Sequence, residues 1–333
     1  MKLWGWLIGI LALLWSAIWL IGSVATERVV GAWLAQQEQA GWVVEYDALA
    51  TRGYPLSFRT VLSDLSLADP HSGWAIEAPS FRLDQPAYQP NQVRATWPET
   101  HVFSTPFERL SVRAERLDTM LQLRLLDNLA LDQSLTQMTA LQINSDLGWS
   151  SSMDSATLSV SLREEPGHRY DIGFDAQGYV PAGQVLAMLD PAGVLPEAID
   201  RFRIEAVAGF DRAWDLSALE LSRPQIRRLD LAELRAEWGD LALRVSGTLD
   251  VDAEGIPTGA LAVRAQNWRA MVDLAANSGA LADGFRGTLE AALSVLAGLS
   301  GRPEDLDATL SFADGQVYFG PFPLGPAPLI LLR

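Results

Sequence analysis

The chain contains no cysteine. That excludes disulfide staples, thiolate metal sites, thiol nucleophiles and iron–sulfur ligation, and it suits an oxidising compartment, where stray thiols are a hazard. Histidine is nearly as scarce. His71, His101 and His168 lie in different segments, none in an HExxH or other metal-ligand spacing, and each reads as a loop residue. There is no GxSxG elbow, no Walker loop and no GxGxxG following a strand. No catalytic, cofactor-binding or metal-binding residue is therefore assigned, and the chain reads as a non-enzyme without a cofactor. Lysine is reduced to Lys2, so arginine supplies the other 24 of the 25 basic residues. With abundant Ala, Gly, Leu and Asp, this resembles the codon bias of a GC-rich bacterial genome. The formal net charge of −16 argues against nucleic acid and against electrostatic docking on anionic lipid.

What the chain does have is one long apolar run. Leu3 to Gly22 carries no charged residue, and twenty helical residues rise about 30 Å, the thickness of a bilayer's hydrocarbon core. Its anchor residues are Leu3, Trp4, Trp6, Leu7, Ile8, Ile10, Leu11, Leu13, Leu14, Trp15, Ile18, Trp19, Leu20 and Ile21. The tryptophans fall near the two ends, where indoles favour the headgroup level. Lys2 precedes the run and an acidic body follows it, which keeps the N-terminus cytoplasmic and exports the rest. The expected placement is a single-pass bacterial inner-membrane protein with a periplasmic body. The alternative is a cleaved signal peptide, since Ser23-Val24-Ala25 is a passable cleavage site, although the run exceeds the usual signal length. Gly5 and Gly9 form a GxxxG spacing that is ordinary in a Gly-rich chain.

Past the run, Val29, Val30, Trp33 and Leu34 recur on one helical face, and Gly41 is a plausible stop. We expect residues 25–41 to form an amphipathic helix, packed on the following sheet or lying on the membrane. Beyond Trp42 the period becomes two. Leu158, Val160 and Leu162 alternate with Ser and Thr; Tyr170, Ile172 and Phe174 with Asp and Gly. Phe202 to Phe210, Leu241 to Val251, Leu261 to Val263 and Leu306 to Phe319 follow suit, which predicts antiparallel strands with one greasy face. Short helices are expected over Gly183 to Asp190 and Pro196 to Asp200, and a helical pair over Asn267 to Asn277 and Asp283 to Leu299. The second of the pair carries Phe285, Leu289, Leu293, Leu296 and Leu299. Pro86 to Pro106, rich in proline, reads as loop or edge strand. The expected organisation is a membrane anchor at 1–24, the helix at 25–41, an N-terminal β-rich lobe at 42–180 and a C-terminal β-rich lobe with helices at 181–333. The fold class is α+β, predominantly antiparallel β.

Two motifs need a physical reading. Asp250-Val-Asp252-Ala-Glu254-Gly255 opens like a calcium loop, but position 12 is Leu261 and the flanks are strands, so a hairpin turn is expected. Arg52-Gly53-Tyr54-Pro55 is most simply a tight turn, with Gly for positive φ and Pro for fixed φ; a place for Tyr54 at the membrane interface is the other reading.

Thr51 to Phe58 (TRGYPLSF), Leu65-Ser-Leu67, Glu77 to Phe81 (EAPSF) and Ala87 to Val93 (AYQPNQV), following an anchor and a short helix, resemble an uncharacterised alphaproteobacterial family of membrane-anchored proteins, a domain of unknown function. Gly53, Tyr54 and Pro55 are the centre of that motif. Ala308 to Phe312, Asp314-Gly315 and Gly320 to Gly325 resemble the closing strands of the wider AsmA-like group. That resemblance implies a long, curved sheet with a greasy inner face and a link to envelope lipids; it implies no catalytic residue.

Strands with one apolar face must bury it. A packed core and an open groove that holds something apolar both satisfy that demand. The expected function is accordingly a membrane-anchored periplasmic protein that binds or shields lipid acyl chains. The alternative is a non-catalytic envelope scaffold or assembly factor acting through protein contacts. The expected partners are the membrane, a lipid and an envelope protein; nucleic acid is not among them.

Overall fold

The computed structural model describes all residues except 1, 166, 221–222, 279–285, 300–303, 321 and 333. It begins with one helix, α1 (Lys2–Gln39), of 38 residues, about 57 Å at 1.5 Å per residue. The expected anchor at 1–24 and amphipathic helix at 25–41 form one continuous helix. Ser23 and Thr26 donate their hydroxyls back to the Leu20 and Gly22 carbonyls, at 2.9 Å in both cases, so these polar residues are satisfied inside the helix. The stop at Gly41 is as expected. Its φ is +93°, Gly41 N donates to Glu38 O and Trp42 N to Gln37 O; this paired arrangement closes helices through a left-handed glycine.

The remainder is predominantly antiparallel β and falls into two compact units, residues 1–123 with 136–148, and residues 124–135 with 149–333. The first unit carries β1 (Val43–Glu45), β2 (Ala48–Arg52), β3 (Ser57–Asp69), β4 (Trp74–Pro86), β5 (Gln92–Thr96), β6 (Thr100–Ser104), β7 (Arg109–Arg113) and β8 (Arg116–Arg124); β9 (Ala130–Ser145) runs through the division. β1 and β2 share β3, pairing with its far and near halves. β4 lies along the whole of β3 and divides its other edge between β5 and β6. The proline-rich stretch thus supplies two five-residue strands as well as loops. Val44, Leu62 and Leu65 share a face, buried against Leu34 of α1 with Val30, Leu49, Leu67 and Phe81 beside them. Asp64, at φ +49°, falls opposite Pro79, between the Ser63–Ser80 and Leu65–Ala78 pairs of an unbroken β3–β4 register.

The second unit is a meander of β10 (Ser150–Leu162), β11 (Arg169–Tyr179), β12 (Ile199–Phe210), β13 (Ile226–Trp238), β14 (Leu241–Val251), β15 (Pro257–Gln266), β16 (Asp305–Ala313), β17 (Gln316–Phe319) and β18 (Phe322–Pro326), each antiparallel to the next. Between strands lie α2 (Gly183–Leu189), α3 (Leu216–Glu220), α4 (Trp268–Asn277) and α5 (Arg286–Leu299). The units part at 148/149 rather than at the expected 180/181, because β11 pairs along its length with both β10 and β12 and the ladder runs unbroken past that point. No helix forms at Pro196 to Asp200: Ile199 already pairs with Tyr179, and the Pro196 carbonyl accepts the Trp238 indole N–H at 2.6 Å. Asp283 and Phe285 lie outside the described residues, as do the side chains of Leu289, Leu296 and Leu299.

Trp268 is the largest fully buried side chain among the described residues, 1% exposed, packed with Val272, Leu293, Ala297, Ala265 and Leu306. Truncating a buried indole removes its transfer energy and leaves a cavity. Trp268→Ala should cost about 3–5 kcal/mol, read as a fall in unfolding free energy by denaturant titration.

Candidate functional site

Two features of the fold collect side chains in a way packing alone does not require. The first lies where α1 meets the β2–β3 turn. Gly53 takes φ +110° and the Tyr54–Pro55 bond is cis; Leu56 N and Ser57 N both donate to Gly53 O. The expected tight turn is therefore present, and it is held against the apolar helix. Trp15 Nε1 donates to Pro55 O at 2.9 Å and Trp19 Nε1 to Ser57 O at 3.0 Å. Tyr54 Oη and Ser16 Oγ are 2.7 Å apart. The Trp19 ring meets Tyr54 edge-on at 5.4 Å and stacks on Phe58 at 5.8 Å. Further along, Glu27 Oε1 accepts the Thr51 N–H at 2.5 Å, satisfying a donor on the edge of β2.

The anchor residues divide accordingly. Trp4, Trp6, Leu7, Ile8, Ile10, Leu11, Leu13, Leu14, Ile18, Leu20 and Ile21 are exposed, whereas Trp15 and Trp19 are half-buried on the turn. The side chain of Leu3 lies outside the described residues. This helix is long and apolar enough to cross a membrane. Tyr54 and Leu56 at the turn are 55% and 63% exposed beside it. In the sequence, the one sign that two of the tryptophans serve the turn is their four-residue spacing, which sets both on one side of the helix.

The second feature is the face of the second unit's sheet. Cross-strand partners point to the same side. Leu158, Phe174, Ile204, Leu234, Val245, Val263 and Ala308 make one row across seven strands, and Val160, Ile172, Ala206, Leu231, Gly247, Leu261 and Leu310 make the next. A bulge at Ala232 and Glu233 keeps Leu231 and Leu234 on the same side. The ends of this face are covered. At one, Trp268, Val272, Leu293 and Ala297 of the helices sit on Ala265, Leu306 and Leu243. At the other, Tyr170, Ala208 and Phe210 are buried with Trp214 and Leu332. The C-terminal segment is tied down there by two bonds between Gln225 and Leu332, 2.9 and 3.0 Å long. Between the ends, every large side chain of the two rows is partly exposed and none is buried.

The opposite face is a ladder of ion pairs: Arg163 with Asp171 at 2.7 Å, Arg169 with Asp230 at 3.0 Å, Arg201 with Asp175 at 2.5 Å, Arg228 with Asp250 at 2.9 Å and Arg264 with Asp307 at 3.1 Å. Such half-exposed pairs add little stability each; they make this face wet and leave the other as the apolar one.

Asp252 closes its hairpin turn, accepting the Glu254 and Ile256 N–H groups at 3.0 and 2.8 Å, while Gly255 takes φ +84°. Among the described residues no group of three or more His, Asp or Glu gathers to hold a metal. His71 and His168 lie exposed near turns, but His101 is not a loop residue. It is buried on β6, opposite Val112, its ring 5.2 Å from Trp97 and its Nδ1 without a hydrogen-bond partner. Burial holds its pKa below the ordinary value.

These features define a class: an antiparallel β protein carried on one long apolar helix. Residues 19–328 match a family described as uncharacterised proteins conserved in bacteria, DUF2125, and the chain belongs to that family. No curated protein and no solved structure matches it.

Two outcomes follow. A Cβ at Gly22 would stand 2.5 Å from the Phe58 ring, whereas nothing lies within 4 Å of Gly9. Gly22→Val should destabilise the detergent-solubilised protein by about 1–3 kcal/mol and Gly9→Val should leave it unchanged, measured as thermal midpoints. For His101, the unfolded chain takes up its proton at about pH 6.5 while the folded chain takes it up only at lower pH. Stability contributed by the neutral ring is complete above that value and is lost as pH falls below it. Unfolding titrations between pH 7.5 and 5.5, with about one pH unit either side of that pKa, should show this slope flattened in His101→Gln.

Proposed function

We propose that the chain is a single-pass protein of the bacterial inner membrane, N-terminus cytoplasmic and body periplasmic, whose second unit shields a lipid acyl chain against its sheet. It catalyses no reaction in this reading. The observation that supports it is the two-row apolar strip of partly exposed Leu, Val, Ile and Phe, flanked on either side by a buried cluster and backed by an ion-paired face. A contiguous apolar strip is the kind of surface that marks a ligand or partner site. Seven strands about 4.8 Å apart extend about 29 Å. Half of a bilayer core is about 15 Å, so one acyl chain lies along the strip with length to spare. Removal of apolar surface from water, about 25 cal/mol per Å², holds it without polar recognition. The resemblance of the closing strands to the AsmA-like group supports the same reading.

Native mass spectrometry of the full chain, extracted from membranes and transferred from detergent, tests it. Lipid-mass adducts are expected on the native protein, and Ile204→Asp, which sets a charge in the strip, should carry one lipid fewer, with circular dichroism unchanged. A clean apo mass for the native protein would overturn the lipid reading and leave the scaffold one, for which crosslinked partners are the next measurement.

A further inference from the structure

Within the first unit the sheet and α1 run side by side, and four contacts set their levels. Trp15 meets Pro55, Trp19 meets Ser57, Gly22 lies against Phe58, and Glu27 meets Thr51, which pairs with Thr60. Arg59 therefore stands level with the stretch of α1 between Gly22 and Glu27. That is where the uncharged run ends and the first charged residues, Glu27 and Arg28, begin. If α1 crosses a bilayer, as the proposed function holds and on which this inference rests, that level is the headgroup layer. The turn at Tyr54, Pro55 and Leu56 then dips among the acyl chains of the same leaflet.

At that level, on the face of the sheet turned away from α1, a groove of about 530 Å³ is lined by Leu56, Arg59, Arg82, Asp84, Tyr88 and Arg94 among others. Arg59, Asp84 and Arg94 are direct cross-strand neighbours on β3, β4 and β5. Asp84 engages Arg59 at 2.8 Å and Arg82 at 2.9 Å. It carries one charge for two guanidiniums, and Arg94 has no carboxylate partner among the described residues. A chain with a net charge of −16 thus gathers three arginines against one aspartate here. The net charge disfavours attraction to anionic lipid at a distance, yet the Debye length of about 8 Å lets a local cluster act on a phosphate in contact. Tyr88 and Leu56 flank the groove, 67% and 63% exposed. An amphipathic ring and an aliphatic side chain suit the boundary between headgroup and chain.

We propose that this groove binds the phosphate of an anionic phospholipid headgroup, with Arg59 and Arg94 as its principal donors and Leu56 and Tyr88 against the first methylenes of the chains. Planar guanidiniums match phosphate oxygens in paired hydrogen bonds.

The test titrates the full chain in detergent with phosphatidylglycerol, phosphatidylcholine or inorganic phosphate, reading bound lipid by native mass spectrometry. Phosphatidylglycerol should bind more tightly than phosphatidylcholine. Arg59→Gln with Arg94→Gln should weaken it about tenfold or more, the effect of losing charged hydrogen bonds. Arg94→Gln alone, which leaves the Arg59–Asp84 pair intact, should give a loss in the same direction. Equal affinity for the two lipids, or unchanged phosphatidylglycerol binding in the single and double variants, would overturn the proposal. So would displacement of the lipid by an equal concentration of inorganic phosphate, which would make this a site for soluble anions. Ile204→Asp should keep the preference for phosphatidylglycerol, so loss of one lipid adduct there and loss of headgroup preference here report separately on the two readings.

Discussion

The constraint behind this structure is that a sheet of period-two strands has one apolar face, and that face needs cover. The first unit meets the need near β1–β3 with α1, whose Val30 and Leu34 close over Leu62 and Leu65. The second unit has helices and a C-terminal segment enough for the two ends of its face. The two central rows across β10–β16 are left half-exposed. That is not a shortage of apolar residues elsewhere: Phe210, Trp214, Trp268 and Leu293 are all committed to the ends. Their distribution leaves a strip bounded at both extremities, which a uniformly packed core would not have.

The same helix has two environments along its length. From Trp4 to Leu14 its side chains are exposed on every side, which in water would be untenable for a surface this apolar. From Trp15 onward the turn and strands of the first unit lie against it. The hydrogen bonds that hold the turn come from indole N–H groups, donors that an apolar surrounding would otherwise leave unsatisfied. A tryptophan donating to a backbone carbonyl satisfies two polar groups at once, and both groups gain from the pairing if they lie in a low dielectric. Docking the turn on the helix therefore fixes the position of the first unit along α1 more firmly than a free linker after residue 24 would, and the continuity of α1 to Gln39 carries that positional information to β1.

Much of the architecture was legible because its signals are local. Alternation over Tyr170 to Phe174 or Leu241 to Val251 specifies both a strand and its inward face; Gly41 specifies a helix stop; Asp252 and Gly255 specify a turn. The misreadings share a cause. Residues 196–200 carry proline and acidic residues that look like a helix start, but long-range pairing of Ile199 with Tyr179 and the Trp238–Pro196 bond override them. The division between units lies at 148/149 although Gly178 and Gly183 look like a linker, because the ladder runs unbroken past Gly178, set by register with distant strands. His101 looked like a loop residue because prolines flank it at 98 and 106; the strand that buries it is only five residues long.

Neither candidate region could have been read from spacing, and for the same physical reason. Arg59, Arg82 and Arg94 are 23 and 12 positions apart, with no motif joining them; antiparallel register alone brings them to one place on one face. Their level along α1 depends on a second long-range match, that of Trp15 and Trp19 to a turn some forty positions later. A local positive cluster is then compatible with a strongly acidic chain. Net charge governs encounter over distances beyond the screening length, while recognition at contact depends on the few charges within it. In the proposed reading an anchor holds the protein at the bilayer, so long-range attraction is not needed and headgroup preference rests on the three arginines in contact with the phosphate.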